Sequence, residues 1–313
     1  MKKHLFIALA AVLALAACNK TASVETAGET VDVHYTLNAS SLSKAATDGD
    51  GAAANVNRYI CEVYTAGNLY IRKVNTVTPG TLQTTFDFKL VKGQTYDFLF
   101  WADCGNADAS DLYYNTTSLK NVQVLTAQVS CTDARDAFFG KDQISLGETP
   151  ITKPVNLKRP FAQLNIITTD IADIYASEIP ASFLPDAITL TYQGYTGFDV
   201  STGEVVGSKV EISHTCTPYA SLANTPGVTA WTLTMDYILT TVATESSEIS
   251  VRDVVDLNWV VKHGTNQITS IDFTSMPLKR NYRTNITGAM LTNTATYNVE
   301  ILPGWTGELN PTI

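Results

Sequence analysis

From Val31 onward the chain alternates apolar and polar residues with a period of two, and this habit constrains its fold more than any other feature. In "VDVHYTL", Val31, Val33, Tyr35 and Leu37 fall on one face and Asp32, His34 and Thr36 on the other. That is the pattern of a strand with one buried face. "RYICEVYTAGNLYIRKV" reads as a hairpin around Ala66-Gly67-Asn68. "TTFDFKLVKGQTYDFLFWAD" reads as a second, with Lys92-Gly93 at its turn, Tyr96, Phe98 and Phe100 on one face and Leu99 and Trp101 on the other. Beyond Pro150 and Pro154 the pattern resumes in "FAQLNIIT", "AITLTYQG", "TGFDVSTGEVVG", "AWTLTMDYILTT", "VVDLNWVV", "QITSIDFT", "NYRTNITGAML" and "ATYNVEIL". Short strands at regular spacing, with turn residues between, specify antiparallel β-sandwiches. We therefore expect an all-β protein of two sandwich domains, over 31–153 and 154–313.

A few segments depart from that rhythm. "DIADIYASEI" has helical spacing, and residues 105–150 are irregular, with a short helix read over Asp133 to Phe138. "LKRPFAQLNI" (Leu157 to Ile166) and "LKRNYRTNI" (Leu278 to Ile286) echo one another with one residue of slip. They bracket the second half and read as strands with similar demands. Lys279 and Arg280 are expected just ahead of a strand, in reach of water.

The N-terminus addresses the chain for export. Lys2 and Lys3 precede the apolar run "LFIALAAVLALAA", which is short for a membrane span and closes on small residues. It ends in "LAAC", which resembles a bacterial lipobox. Residues 1–17 then form a signal peptide and Cys18 receives the lipid, which tethers the protein to a membrane without crossing it. Residues 18–30 read as a lipidated flexible tether. Losing Lys2 and Lys3 from 21 basic residues leaves 19 against 30 acidic ones, a net charge of −11. Nucleic acid is an unsuitable partner for such a surface.

Catalytic and metal signatures are missing from the sequence. His34, His214 and His263 are the histidines of the mature chain, and no nucleophile elbow, HExxH or phosphate loop occurs. No enzymatic activity and no cofactor are expected. Asp48-Gly49-Asp50-Gly51 opens like a calcium loop but lacks the spaced third ligand and distal glutamate. Cys61, Cys104, Cys131 and Cys216 allow three full disulfide pairings, with a buried free thiol at Cys61 as the alternative. Their spacing fits no zinc motif. His214-Thr215-Cys216 comes nearest, and the sequence gives it no second half. Trp231 and Trp259 lie in apolar strands and read as core, whereas Trp305, in "PGWTG", is placed for ligand contact.

Taken together, the lipobox, "LVKGQTYDFLFWADC", "RDAFFG", "LKRPFAQLNI" and "MPLKRNYRTNITGAMLTNTATYNVEI" resemble the fimbrillin-like lipoproteins of Bacteroidales, the subunits of type V pili. The closest branch is one carried as a domain of unknown function. The resemblance implies two tandem transthyretin-like, Greek-key β-sandwich domains behind a lipoprotein signal peptide, on the outer membrane and in fimbriae. It also implies proteolysis after a basic residue past the first strand, then strand exchange with other fimbrial subunits. "VDVHYTL" is the candidate first strand, removable or resident, and "ATYNVEIL" the candidate for exchange or closure. No arginine lies between Cys18 and Arg58, so the candidate processing residues are Lys44 and Arg58. Without a cut the protein keeps its lipid as an anchor or accessory subunit. A second reading is a monomeric surface glycan-binding lipoprotein, with Trp305, Tyr113 and Tyr114 as its contacts.

Overall fold

A computed structural model of the chain describes residues 28–39, 53–177, 184–223, 225–241, 253–292 and 296–303. The N-terminal half contributes β1 (Thr30–Asn38), β2 (Arg58–Thr65), β3 (Asn68–Thr76), β4 (Gln83–Val91), β5 (Thr95–Asp103), β6 (Tyr114–Asn115), β7 (Val122–Val124), β8 (Phe138–Ser145) and β9 (Ile151–Asn156). One sheet runs β4-β1-β9 and faces a second, β3-β2-β5-β8. The alternation seen in the sequence aims Val33, Tyr35 and Leu37 of β1 at Phe86, Phe88, Phe98, Phe100 and Phe138. The rings of Tyr35 and Phe98 lie 4.6 Å apart.

The C-terminal half contributes β10 (Phe161–Thr168), α1 (Ile171–Ala176), β11 (Ala187–Gly194), β12 (Gly197–Asp199), β13 (Glu204–Val206), β14 (Val210–Cys216), β15 (Trp231–Leu239), β16 (Asp253–His263), β17 (Asn266–Leu278), β18 (Tyr282–Gly288) and β19 (Tyr297–Pro303). Its sheets are β15-β10-β18-β19 and β14-β11-β16-β17. Set beside the first half, the wiring repeats. β15-β10-β18 matches β4-β1-β9, and β14-β11-β16-β17 matches β3-β2-β5-β8. In both sandwiches the first strand pairs in parallel with the seventh. Among the described residues, only the second half adds an eighth, β19, beyond it.

The first hairpin is as expected, turning through Ala66 and Gly67, both at positive φ. The second is not a hairpin. β4 pairs with β1, β5 pairs with β2 and β8, and the Lys92-Gly93 turn carries the chain from one sheet to the other. Alternation reveals which side chains face inward; it does not reveal which strand lies alongside. The helix expected over Asp133 to Phe138 is a single 3-10 turn, Asp133–Arg135, because Phe138 already opens β8. The irregular stretch 105–150 thus hides a full core strand. β9 escaped detection because Pro154 interrupts it, yet Pro154 sits opposite Thr36, and the pairing runs on to Asn156, past residue 153.

The two echoing segments turn out to be neighbours. β10 and β18 pair in parallel, with Asn165 opposite Asn285 and Ile166 opposite Ile286. The Asn165 amide donates to the Asn285 side-chain oxygen at 2.8 Å, buried. The one-residue slip lies upstream of the paired asparagines, so like residues meet in register where the strands touch. Each sheet position makes the same demand, an amide and a β-branched residue side by side, and the sequence answers it twice.

A fifth sheet, β13-β12-β7-β6, takes strands from both halves. It lies against an apolar cluster of Ile60, Leu99, Trp101, Phe161, Met235 and Tyr237 that joins the outer face of β2 and β5 to that of β10 and β15. The expected all-β, two-sandwich class holds, with a shared joint that the sequence pattern did not reveal.

Candidate functional site

Two places could carry function: the seat of β1 and the joint. β1 lies between an antiparallel and a parallel neighbour, and its burial alternates along its length. Val31, Val33, Tyr35 and Leu37 are buried; at ~1.5–3 kcal/mol each they contribute on the order of 6–12 kcal/mol of burial energy, an upper bound. The Tyr35 hydroxyl crosses the core to donate to Asp142 at 2.6 Å. Burial pushes the Asp142 carboxyl up, but hydrogen bonds from Lys153 and Tyr35 outweigh it and hold the group below the usual carboxylate range. The outer face of β1 carries only surface pairs, Lys89 with Asp32 and His34 with Asp87. A strand seated this way is bound by its inner face and its two edges. Without it, β4 and β9 both present open edges over an uncovered core.

The joint is held by buried charges. Arg135 pairs with Asp236, which also accepts from Tyr192 at 2.8 Å and lies 3.0 Å from His214 Nε2. Arg159 forms a two-pronged contact with Asp136, at 2.8 and 2.6 Å. Arg58 does the same with Asp103, at 2.8 and 2.7 Å, and also reaches Asp111. Asp236 is held far below the usual range: burial alone would raise it, and the Arg135 charge and the His214 and Tyr192 bonds win. Around Arg135, Val129 packs into the C-terminal core and Cys131 is disulfide-bonded to Cys216 at the end of β14. A segment of the first half thus closes an open side of the second.

The expected site residues are scattered. Cys18, Lys44 and Trp305 lie outside the described residues. Arg58 is 2% exposed and its strand is paired on both sides, so a cut after it requires β2 to leave the sheet. Tyr114 is buried and donates to the Arg135 carbonyl at 2.5 Å, while Tyr113 is half-buried against the joint. Neither offers an open aromatic face. Trp231 and Trp259 are core, as read, and so is Trp101. Cys61 is a buried free thiol and Cys104 is also free.

Arg280, expected in water, is instead packed in the joint. Its guanidinium donates to the Gly203 and Thr240 carbonyls and lies 5.3 Å from the Phe198 ring. Burial pulls it down to about 10. Nor did the sequence reading pick out Arg135, Asp136, Arg159 and Asp236. The available signal was Asp236, the one charged residue of "WTLTMDYIL", and the charges of "TDARDAFFG" just before a strand. A charge amid apolar strand residues has to be paired to be buried.

No curated protein matches the sequence. A Bacteroides thetaiotaomicron structure described as a candidate polysaccharide-binding protein superposes with a TM-score of 0.50 at 11% identity, over 90% of this chain and 98% of its own. At that identity the likeness is one of fold. The fimbrial anchor protein Mfa2 of Porphyromonas gingivalis gives 0.45 at 13% identity, over 87% of this chain and 97% of its own. The tip fimbrial protein Mfa3 of the same organism, truncated at its C-terminus, gives 0.45 at 11%, over 88% and 99%. A family model described as a family of unknown function, DUF6562, matches residues 21–313. That match spans nearly the whole chain and meets the expectation of a branch of unknown function: the protein belongs to the DUF6562 family.

Proposed function

We propose that the protein is a non-enzymatic cell-surface fimbrial subunit or anchor, tethered to the outer membrane by acylated Cys18, that assembles with other fimbrial subunits by strand exchange and supports adhesion. One observation supports this most. The first strand fills a slot between β4 and β9, its outer face is wet, and it is followed at once by the segment that carries Lys44. A cut at Lys44 severs β1 from β2, whereas a cut after Arg58 falls in a strand paired on both sides, which makes Lys44 the better processing residue of the two. The vacated slot then takes an alternating strand from a neighbour, whose backbone bonds and core side chains replace those of β1. β19, paired to β18 on one side, lies at an edge of its sheet and is the candidate for contact with the next subunit. No helix among the described residues is long and apolar enough to cross a membrane.

The test is to purify the chain without its first 44 residues and incubate it at high concentration. Ladders that survive detergent and collapse on boiling are expected, and a peptide of residues 28–40 in excess suppresses them. Strictly monomeric behaviour, with a mobility shift in glycan affinity gels, overturns the reading in favour of a monomeric surface glycan-binding lipoprotein. That alternative draws on an open polar groove of about 620 Å³ lined by Asp97, Lys120, Lys141, Asp142 and Gln143.

A further inference from the structure

The joint contains an arrangement that the linear sequence hides. Cys131 comes from the first half, while His214 and Cys216 lie two residues apart on β14, on the same face of the strand. Folding brings one ligand atom from each of the three within 4.8 Å of the others. In the oxidised chain the two sulfurs are joined. The His214 side chain is 4% exposed; its Nε2 lies 3.0 Å from Asp236, and its Nδ1 is one of the few buried side-chain atoms, among the described residues, without a hydrogen-bond partner. A buried imidazole nitrogen left unpaired is costly, so its persistence asks for a reason. Bonding to a carboxylate fixes the proton on Nε2 and leaves the Nδ1 lone pair free. That carboxylate–histidine arrangement is the one that orients imidazoles toward metal ions.

We propose that Cys131, His214 and Cys216 form a binding site for a thiophilic divalent cation of the Zn²⁺ type whenever the disulfide is open. The joint then has two alternative staples, a disulfide when oxidised and a metal dithiolate when reduced. A tetrahedral zinc with bonds of about 2.3 Å to sulfur and 2.0–2.1 Å to nitrogen sets its ligand atoms about 3.6–3.8 Å apart. The observed cluster needs only a small contraction about His214 and the parting of the two sulfurs. The charges close as well. Two thiolates and Asp236 supply three negative charges, and the cation with Arg135 supplies three positive ones. Cys131 and Cys216 are both partly exposed, so solvent can complete the fourth position and a reductant can reach the bond.

The chemistry balances with a named partner. A dithiol reductant delivers two electrons and two protons to the S–S bond and is itself oxidised to a disulfide, leaving two thiols on the protein. The cation then displaces both thiol protons to solvent and bonds to the two sulfurs and to His214 Nδ1. A chain that meets the cation before it is oxidised reaches the same state directly. The proposal is independent of strand exchange, since no residue of β1 takes part.

Cobalt(II) is the probe. The full mature chain, reduced under argon with a phosphine and checked by circular dichroism, is titrated with Co²⁺. One equivalent should produce a thiolate-to-cobalt charge-transfer band and the red d–d bands of a tetrahedral site, and Zn²⁺ should abolish both. The oxidised chain should stay colourless. C131S and C216S should each lose the charge-transfer intensity of one sulfur, and H214Q should bind at least about tenfold more weakly, with C104S as the unchanged control. D236N should weaken binding by about 10–100-fold, as loss of an orienting carboxylate does; should D236N not fold, H214Q carries that arm. A reduced chain that shows no band, a band that survives C131S/C216S, or an H214Q variant that binds as tightly as the parent overturns the site.

Discussion

β1 and β10 hold the same position in two sandwiches of the same wiring, yet they are buried differently. β1 alternates between core and solvent, whereas all eight residues of β10 are buried. The cause lies in which sheet faces the joint. The first half turns its β2 sheet inward, so β2 is buried on both faces and β1 stays on the wet side. The second half turns its β10 sheet inward, and its β11 keeps the alternation instead. One topology therefore yields a first strand with one wet face and a first strand buried on both.

Breaking the joint should have the largest effect. Asp236→Ala leaves Arg135 buried without its carboxylate, a loss of about 3–5 kcal/mol, and the single urea transition should separate into two as the halves unfold independently. One unshifted transition would mean that this pair does not couple them. Next, Tyr35→Ala should cost about 3 kcal/mol, with faster hydrogen exchange confined to β1, β4 and β9, while Phe161→Ala in β10 should loosen the joint too. Acid sharpens the same contrast. Because the folded-state pKa of Asp142 is depressed, its contribution is complete above about pH 4 and is lost as pH falls through the lower folded value. Exchange of β1 should accelerate there, while β10, beside β15 and its more strongly depressed Asp236, should hold to lower pH. Gly288→Val comes third. A Cβ on Gly288 would lie 2.6 Å from the Thr296 carbonyl oxygen, so β19 must shift at about 1–3 kcal/mol, leaving the first sandwich unchanged. Lys89→Ala, on β4 where it pairs with Asp32 of the wet face of β1, should cost less than about 1 kcal/mol and vanish in high salt. A larger loss would mean that the outer face of β1 is not free.

How much of this could be read from the sequence depended on the range of the interaction. Strand faces are local, and the alternation in "VDVHYTL" and the turn at Ala66-Gly67 gave them correctly. Partners are not local: nothing near Lys92-Gly93 indicates that the chain changes sheets there, and β9 was concealed by the proline at 154. The joint was the least legible of all, because its charges come from segments about a hundred residues apart, as with Arg135 and Asp236. The same holds for Cys131 and Cys216, which became a pair only once Thr126–Gln128 and the residues after it had folded against β14 and β15. The first strand, "VDVHYTL", was visible; that the outer face of its sheet is wet required the fold.

The parallel pairing of β10 with β18 also governs when the second sandwich can form. Asn165 and Asn285 are 120 positions apart, so β10 is synthesised long before the neighbour that completes it. Loop closure over such a span is slow. In the interval β10 has an unsatisfied edge, open to pairing with another chain. Folding of this half is thus timed by its last residues, and a partner that shields β10 during that delay would raise the yield of folded protein without touching its final stability.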